Sequence, residues 1–241
     1  PDVVFLATPP VDGAWAEYVT IRSDFLFKLP DGMSFEQGAL LEPLSVGIHA
    51  MKRGGVTPAD RVLVTGLGPI GLLAAQAARL FGVTEIYGTD VVPFRRELAL
   101  DMGVTAAIDP SRENVAERLL ELTGGEGVDV IIETSGNARA IRDAVHTVRR
   151  GGRIVQVGLS AEDEVPIDMN RVADFELNVY GVFRYANTYP VAIQALSRAN
   201  IDLEKVITHK FALKDIREAV EMARTQKDRS IKIMIYPHEA S

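Results

Sequence analysis

The chain has no cysteine. That excludes disulfides and any thiolate metal site built from these residues alone, and it fits a reducing compartment. Cations are in the minority, with 26 Lys and Arg against 33 Asp and Glu and a net charge of -7. Without a basic excess, neither nucleic acid nor anionic lipid is an expected partner. Long apolar runs are also missing: none reaches membrane-spanning length. Nor do the first residues form a charged leader with an apolar stretch and a cleavage site, so a soluble, cytoplasmic protein is expected. Pro1 stands where an initiating methionine would, and the chain reads as a fragment. What it does have is 241 residues, 47% of them hydrophobic. That is enough for one large domain, or one and a half smaller ones, with a core that needs no staples.

The sequence is organised around Arg61 to Leu80, RVLVTGLGPIGLLAAQAARL. Val62, Leu63 and Val64 form a short apolar strand. Gly66, Gly68 and Gly71 follow in G-x-G-x-x-G spacing where strand gives way to helix, so that backbone N–H groups and the positive helix end converge on one point. The first glycine permits the sharp turn, the second lets a pyrophosphate approach the backbone, and the third lets helix and strand pack closely. The helix from Ile70 to Ala78 is apolar nearly all round, as a helix buried on a sheet must be.

Upstream, short apolar pieces at Val3–Leu6, Trp15–Val19 and Phe25–Leu29 alternate with turn formers and predict a small irregular β segment. Ser34 and Gln37 form a capping box for a helix that Pro43 is expected to interrupt. Downstream, strands are expected at Glu85–Gly88, Ala106–Ile108, Val128–Ile132, Arg153–Val157 and Leu177–Val182, with helices between them and a turn at Gly151-Gly152. With the strand of the glycine unit they make six. This alternation predicts a doubly wound α/β fold with a six-stranded parallel sheet and its ligand at the strands' carboxyl ends. Beyond Arg184 come a helix near Pro190, a strand Val206–Phe211, a helix Lys214–Arg224 and a strand Ile231–Ile235.

Asp90 ends the second strand nineteen residues after Gly71, near the spacing at which a carboxylate accepts both ribose hydroxyls of an adenine dinucleotide and repels a 2'-phosphate. Its other reading is a turn residue ahead of Pro93. Arg95 and Arg96 could stack on adenine or attract a 2'-phosphate, but a carboxylate at the ribose should dominate, favouring NAD over NADP. The histidines His49, His146, His209 and His238 are scattered singly, without metal-ligand spacing. Glu42, beside Pro43 in an otherwise apolar run, is costly to bury without a partner; it is either a functional carboxylate or a satisfied helix-end one. Thr134, Ser135 and Gly136 after the fourth strand, Val157 to Leu159 after the fifth, and Arg184 and Tyr185 after the sixth should border one crevice.

Ala7-Thr8-Pro9-Pro10, Leu41 to Ala50 (LEPLSVGIHA), the glycine motif with Asp90, and Gly181 to Thr188 (GVFRYANT) together resemble the zinc-dependent medium-chain dehydrogenases, in particular the polyol branch typified by sorbitol and xylitol dehydrogenases. The resemblance implies a Rossmann domain at 45–185, flanked by remnants of a β-rich, GroES-like catalytic domain at 1–44 and 186–241. It implies NAD-dependent oxidation of a polyol's secondary alcohol to a ketone, with zinc lowering the alcohol's pKa. By the same resemblance Glu42 completes the zinc site, directly or through water. Arg184 and Tyr185 bind the polyol, and Phe5 and Thr8 wall its pocket. Val46, Gly66, Gly68, Pro69, Ile70, Gly71, Asp90, Arg95, Thr134, Ser135, Val157, Leu159, Phe183, Arg184 and Lys232 surround NAD. A homo-oligomer, dimer or tetramer, is implied, with the sixth strand paired across a two-fold axis.

The family's principal zinc ligands, a cysteine and a His-Glu pair, would precede Pro1. The chain therefore resembles the C-terminal two-thirds of such an enzyme and alone is expected to be inactive, since a catalytic zinc needs about three protein ligands. An NAD-binding module without catalysis, or a related threonine or alcohol dehydrogenase, is the alternative.

Overall fold

The structure, a computed structural model, describes residues 6–199 and 201–238. Phe5 and most of the strand expected at Val3–Leu6 lie outside these residues. The chain forms two compact units, Leu29–Val206, and Pro1–Lys28 with Ile207–Ser241.

The larger unit begins with a 19-residue helix, α1 (Phe35–Arg53). The Ser34 side chain accepts from the Gln37 N–H at 3.0 Å while the Gln37 side chain accepts from the Ser34 N–H at 3.1 Å, which satisfies two donors of the helix start. The expected break at Pro43 does not occur, and α1 runs straight through it. An interior proline costs about 3 kcal/mol. Leu40, Leu41, Leu44, Ile48 and Met51, all buried on both sides of Pro43, return roughly 1.5–3 kcal/mol each, so packing decides.

Six strands follow: β1 (Arg61–Thr65), β2 (Glu85–Thr89), β3 (Ala106–Ile108), β4 (Val128–Glu133), β5 (Val148–Gln156) and β6 (Asn178–Gly181). They form one parallel sheet in the order β3-β2-β1-β4-β5-β6. Helices α2 (Pro69–Leu80), α3 (Pro93–Asp101), α4 (Val115–Leu122), α5 (Ala138–Thr147) and α6 (Met169–Asp174) lie between the strands, and α7 (Tyr189–Arg198) follows them and packs on α1. Side chains alternate along the strands. Leu63, Tyr87, Ile131 and Ile154 cluster with Leu119 and Val145 of α4 and α5, while Val130 and Val155 face Gly54 at the end of α1. The sheet is thus covered on both faces, as its apolar strands require. The turn expected at Gly151-Gly152 is instead absorbed into β5. Gly151 takes a φ of +67°, and the register between β4 and β5 shifts between Val128 and Val130, so the extra residues bulge without ending the strand.

The expected domain borders at 44/45 and 185/186 are not where the units part. Residue 44 lies in the middle of α1, and the packing of α7 on α1 draws residues 186–206 into the larger unit.

The smaller unit contains β7 (Ile207–Ala212), α8 (Ile216–Thr225) and β8 (Lys232–Tyr236), a two-stranded parallel βαβ. Its other segment is not the irregular β piece expected. Residues 6–28 hold no strand, only a single turn of 3-10 helix at Ser23–Phe25. Trp15, Tyr18, Phe25 and Leu26 are exposed there. With little apolar surface buried and no neighbouring ladder among the described residues, β propensity alone does not hold a strand. No helix among the described residues is long and apolar enough to cross a membrane.

Candidate dinucleotide site

The crevice lies at the carboxyl ends of β1 and β4, where the strand order reverses direction, the place where such sheets receive ligands. The three glycines of the β1–α2 turn have separate physical causes. Gly66 has a φ of +82°, and a Cβ on it would lie 2.8 Å from the Ser135 Cβ. On Gly71 a Cβ would sit 1.8 Å from the Gly66 carbonyl oxygen and 2.8 Å from the Thr134 hydroxyl. That hydroxyl donates to the Thr65 and Gly66 carbonyls at 2.8 Å each, tying the turn to β4. Gly68 differs, since nothing lies within 4 Å of where its Cβ would be. Protein crowds the first and third glycines, while the second fronts open space.

Gly68 caps α2 without a side chain, Pro69 is the first helical residue, and the helical ladder begins with the Leu72 N–H bonded to the Gly68 carbonyl. The N–H groups of Ile70 and Gly71 have no acceptor within the helix and point toward that opening, together with the positive end of the helix dipole. An open cradle of this shape fits a pyrophosphate.

Asp90, at the end of β2, is 7% exposed. Its carboxylate accepts from the Leu67 N–H at 2.9 Å and the Val92 N–H at 2.9 Å, and pairs with Arg95 at 3.4 Å. One side chain thus holds both the glycine turn and the turn before Pro93, so the turn role weighed above is physically present alongside the crevice position. Arg96 is engaged inward: it donates to the Asp90 carbonyl at 2.7 Å and pairs with Asp109 at 3.1 Å. The Asp109 carboxyl lies below its usual range because the Ser111 side chain and backbone donate to it, helped by Arg96 and Arg112.

On the other side of the crevice, Thr134 and Ser135 follow β4, and Val157 to Leu159 follow β5. The two loops touch backbone to backbone. A Cβ on Gly136 would lie 2.3 Å from the Leu159 carbonyl oxygen, and one on Gly158 2.3 Å from the Gly136 nitrogen. Beneath them lies Glu133, fully buried at the end of β4 and not anticipated from the sequence. The available signal was a carboxylate closing an otherwise apolar strand at its ligand-facing end.

Beyond β6, Phe183 and Arg184 are exposed. The Arg184 guanidinium lies 5.7 Å from the Phe183 ring centre, and Arg184 occupies the left-handed region at φ 58°. The half-buried Tyr185 hydroxyl lies 3.3 Å from that of Tyr189, another residue the sequence did not single out. Burial first, then Tyr189 and the negative Glu42, push the Tyr185 phenol far up, so it stays protonated. Glu42 itself is exposed on α1, so the burial cost expected for it does not arise; Pro43 and Leu44 turn inward instead. Val46 is half-buried on the same helix. Thr8, exposed, and Lys232, on β8, belong to the smaller unit.

Among the described residues no group of three or more His, Cys, Asp or Glu is placed to hold a metal ion. Glu42 is a single carboxylate, and of the histidines His49 has its pKa lowered by burial and by Arg53 and Lys52. The residues present do not fit a catalytic zinc, which needs about three protein ligands.

Comparison with known proteins places the chain. Residues 69–198 match the family model for zinc-binding dehydrogenases. The sorbitol dehydrogenase of Bacillus subtilis is 43% identical over 99% of this chain, which spans 67% of that relative. Human sorbitol dehydrogenase is 38% identical over 98% of the chain, spanning 66% of its own length. An alcohol dehydrogenase from E. coli, solved with NADH, superposes with a TM-score of 0.88 at 27% identity, covering 93% of this chain and 66% of that one. The chain thus spans about two thirds of the length of its curated relatives, and it belongs to the zinc-binding dehydrogenase family.

Proposed function

We propose that this chain is the cofactor-binding portion of an NAD-dependent dehydrogenase that oxidises a secondary alcohol of a polyol to a ketone. The observation that carries the reading is the glycine turn, with crowded first and third positions and an open second one facing free helix N–H groups. Asp90 directs the adenosine half toward β2, and the loops after β4 and β5 receive the nicotinamide half. Bound NAD supplies a hydride acceptor at the nicotinamide C4. The chain's own contribution is to hold that atom in place. Val46, Thr134, Ser135, Val157, Leu159 and Phe183 surround the ring and its ribose. Arg184 and Tyr185 bind the polyol hydroxyls, Tyr185 as a protonated donor. Kinship with sorbitol dehydrogenases supports the substrate class. Zinc belongs to this reading only through ligands beyond the present residues, with Glu42 as one contributor. Residues of the smaller unit belong with the catalytic domain, and the exposed edge at β6 with a two-fold partner in a soluble, cytoplasmic dimer or tetramer.

A second reading, a dinucleotide-binding module without catalysis, is favoured for the isolated chain by the missing metal-ligand cluster among the described residues. Calorimetry with NAD and with zinc separates the readings for this chain: NAD binding without zinc binding is expected. Polyol turnover followed by NADH absorbance tests the longer protein, and failure with zinc bound across sorbitol, xylitol and other polyols would refute the substrate class. Absence of NAD binding would refute both readings.

A further inference from the structure

Glu133 is a charged side chain that the reading above does not use, yet it is fully buried at the centre of the crevice floor. Its Oε1 accepts from the Thr65 hydroxyl at 3.2 Å, from the Ser135 N–H at 2.9 Å and from the Ser135 hydroxyl. Its Oε2 accepts from the Gly136 N–H at 3.1 Å and the Gln156 Nε2 at 2.7 Å. Its backbone carbonyl takes the N–H groups of Val157 and Gly158 at 2.8 and 2.9 Å. Gln156 continues the network, donating at 2.7 Å to the Gly158 carbonyl. One residue therefore binds β1, the loop after β4 and the loop after β5. Each donor is aimed at an acceptor, and a buried carboxylate is tolerated on such terms.

Resting on the dinucleotide reading, we infer that Glu133 is the positioning residue for the nicotinamide half of the cofactor. It fixes the height of the Ser135-Gly136 and Val157-Gly158 backbones, on which the nicotinamide ring lies, without touching a reacting atom. The two loops have no slack of their own, because Gly136 and Gly158 already meet at backbone contact. Losing the carboxylate's five donors therefore cannot be absorbed by either loop alone. The adenosine contact at Asp90 lies across β1 from Glu133 and shares none of its donors.

The test compares NADH with ADP-ribose, which keeps both phosphates and both riboses but lacks nicotinamide, by calorimetry on the full chain. Glu133→Gln keeps the shape, but its amide NH2 faces N–H donors. Gln156→Met, at a half-buried position, removes the bridge to Gly158 and serves where Glu133→Gln fails to fold. Both should weaken NADH about tenfold while ADP-ribose stays within about twofold. Glu133→Asp, which keeps the charge, should recover part of the loss. Equal weakening of both ligands, or no weakening of NADH, overturns the inference, as does a wild-type chain that binds ADP-ribose as tightly as NADH. A wild-type chain that binds neither refutes the dinucleotide reading itself, and this inference with it.

Discussion

Removing the Asp90 carboxylate should have two separable effects. In Asp90→Ala the Leu67 N–H loses its acceptor at 2.9 Å, and Leu67 is fully buried. An orphaned buried N–H costs about 1–3 kcal/mol. The Val92 N–H, also bonded at 2.9 Å, is half-buried and partly recovers through water, and Arg95 loses an ion-pair partner. Together these amount to about 3 kcal/mol, or a Tm lowered by about 6–12 °C for a chain of this size. The cofactor loses its ribose acceptor as well, a hydrogen bond to a charged group worth about 1.5–3 kcal/mol, so NAD should bind about 10–100-fold more weakly. NADP loses less, because repulsion of its 2'-phosphate disappears too, and the NAD preference narrows. Asp90→Asn divides the effects: one amide oxygen still accepts from a loop N–H, so the Tm falls less, while the charge that discriminates against NADP is gone. Thermal denaturation and calorimetry with both cofactors measure the two quantities. An Asp90→Ala chain with wild-type Tm refutes the anchoring of the turn, and an unchanged NAD to NADP ratio refutes the ribose contact.

Three other substitutions follow from the geometry. Gly71→Ala would place a methyl 1.8 Å from the Gly66 carbonyl oxygen, so the turn must open; NAD affinity should drop by more than about tenfold with at least 1 kcal/mol of stability, read by titration and denaturation. Gly47→Ala would meet the Ala74 Cα at 2.8 Å, prising α1 from α2 at a cost of about 1–3 kcal/mol; denaturant melts with an unchanged midpoint would contradict that packing. Tyr87, almost fully buried, has its phenol pushed up to about 12, chiefly by burial and then by its bond to Glu85. Because the folded state keeps the proton longer than the unfolded one, stability from this group is complete below about pH 10 and is lost as pH rises toward about 12. Tyr87→Phe should flatten that part of the stability–pH curve, and an equal slope in both proteins would refute the assignment.

The sheet was legible in the sequence because its signals are local and mutually consistent: an apolar triplet at Val62–Val64, a glycine turn, and helices beginning at Pro69 and Pro93. The same locality explains the failures. Pro43 carries a strong local instruction to break a helix, but the burial that overrides it comes from side chains meeting α2, which no window around Pro43 contains. Trp15 to Leu29 has β propensity, yet a strand also needs a ladder partner. Gly151-Gly152 has the composition of a turn and serves as a bulge, a distinction set by the neighbouring strand. At the candidate site, the local positions of Gly66 to Gly71 and Asp90, at the ends of the first two strands, could be read from spacing alone. Glu133 could not, because its importance lies in donors from Thr65 and Gln156, far away in sequence and adjacent only across the folded sheet. The exposure of Glu42 was not legible either: its apolar neighbours Leu41, Pro43 and Leu44 are buried, while it is exposed on the same helix.

The contact at Gly47 has a consequence for the relation between cofactor and substrate. Gly47 brings the α1 backbone close to the Ala74 Cα, the Leu73 carbonyl and the small Ala77 side chain, so no bulky side chain separates the two helices at that point. Glu42 lies five residues before that contact, roughly 7.5 Å along the helix, and α2 begins at the phosphate turn. A side chain added at Gly47 would therefore have to shift α1 against α2, and α2 starts at the glycine turn.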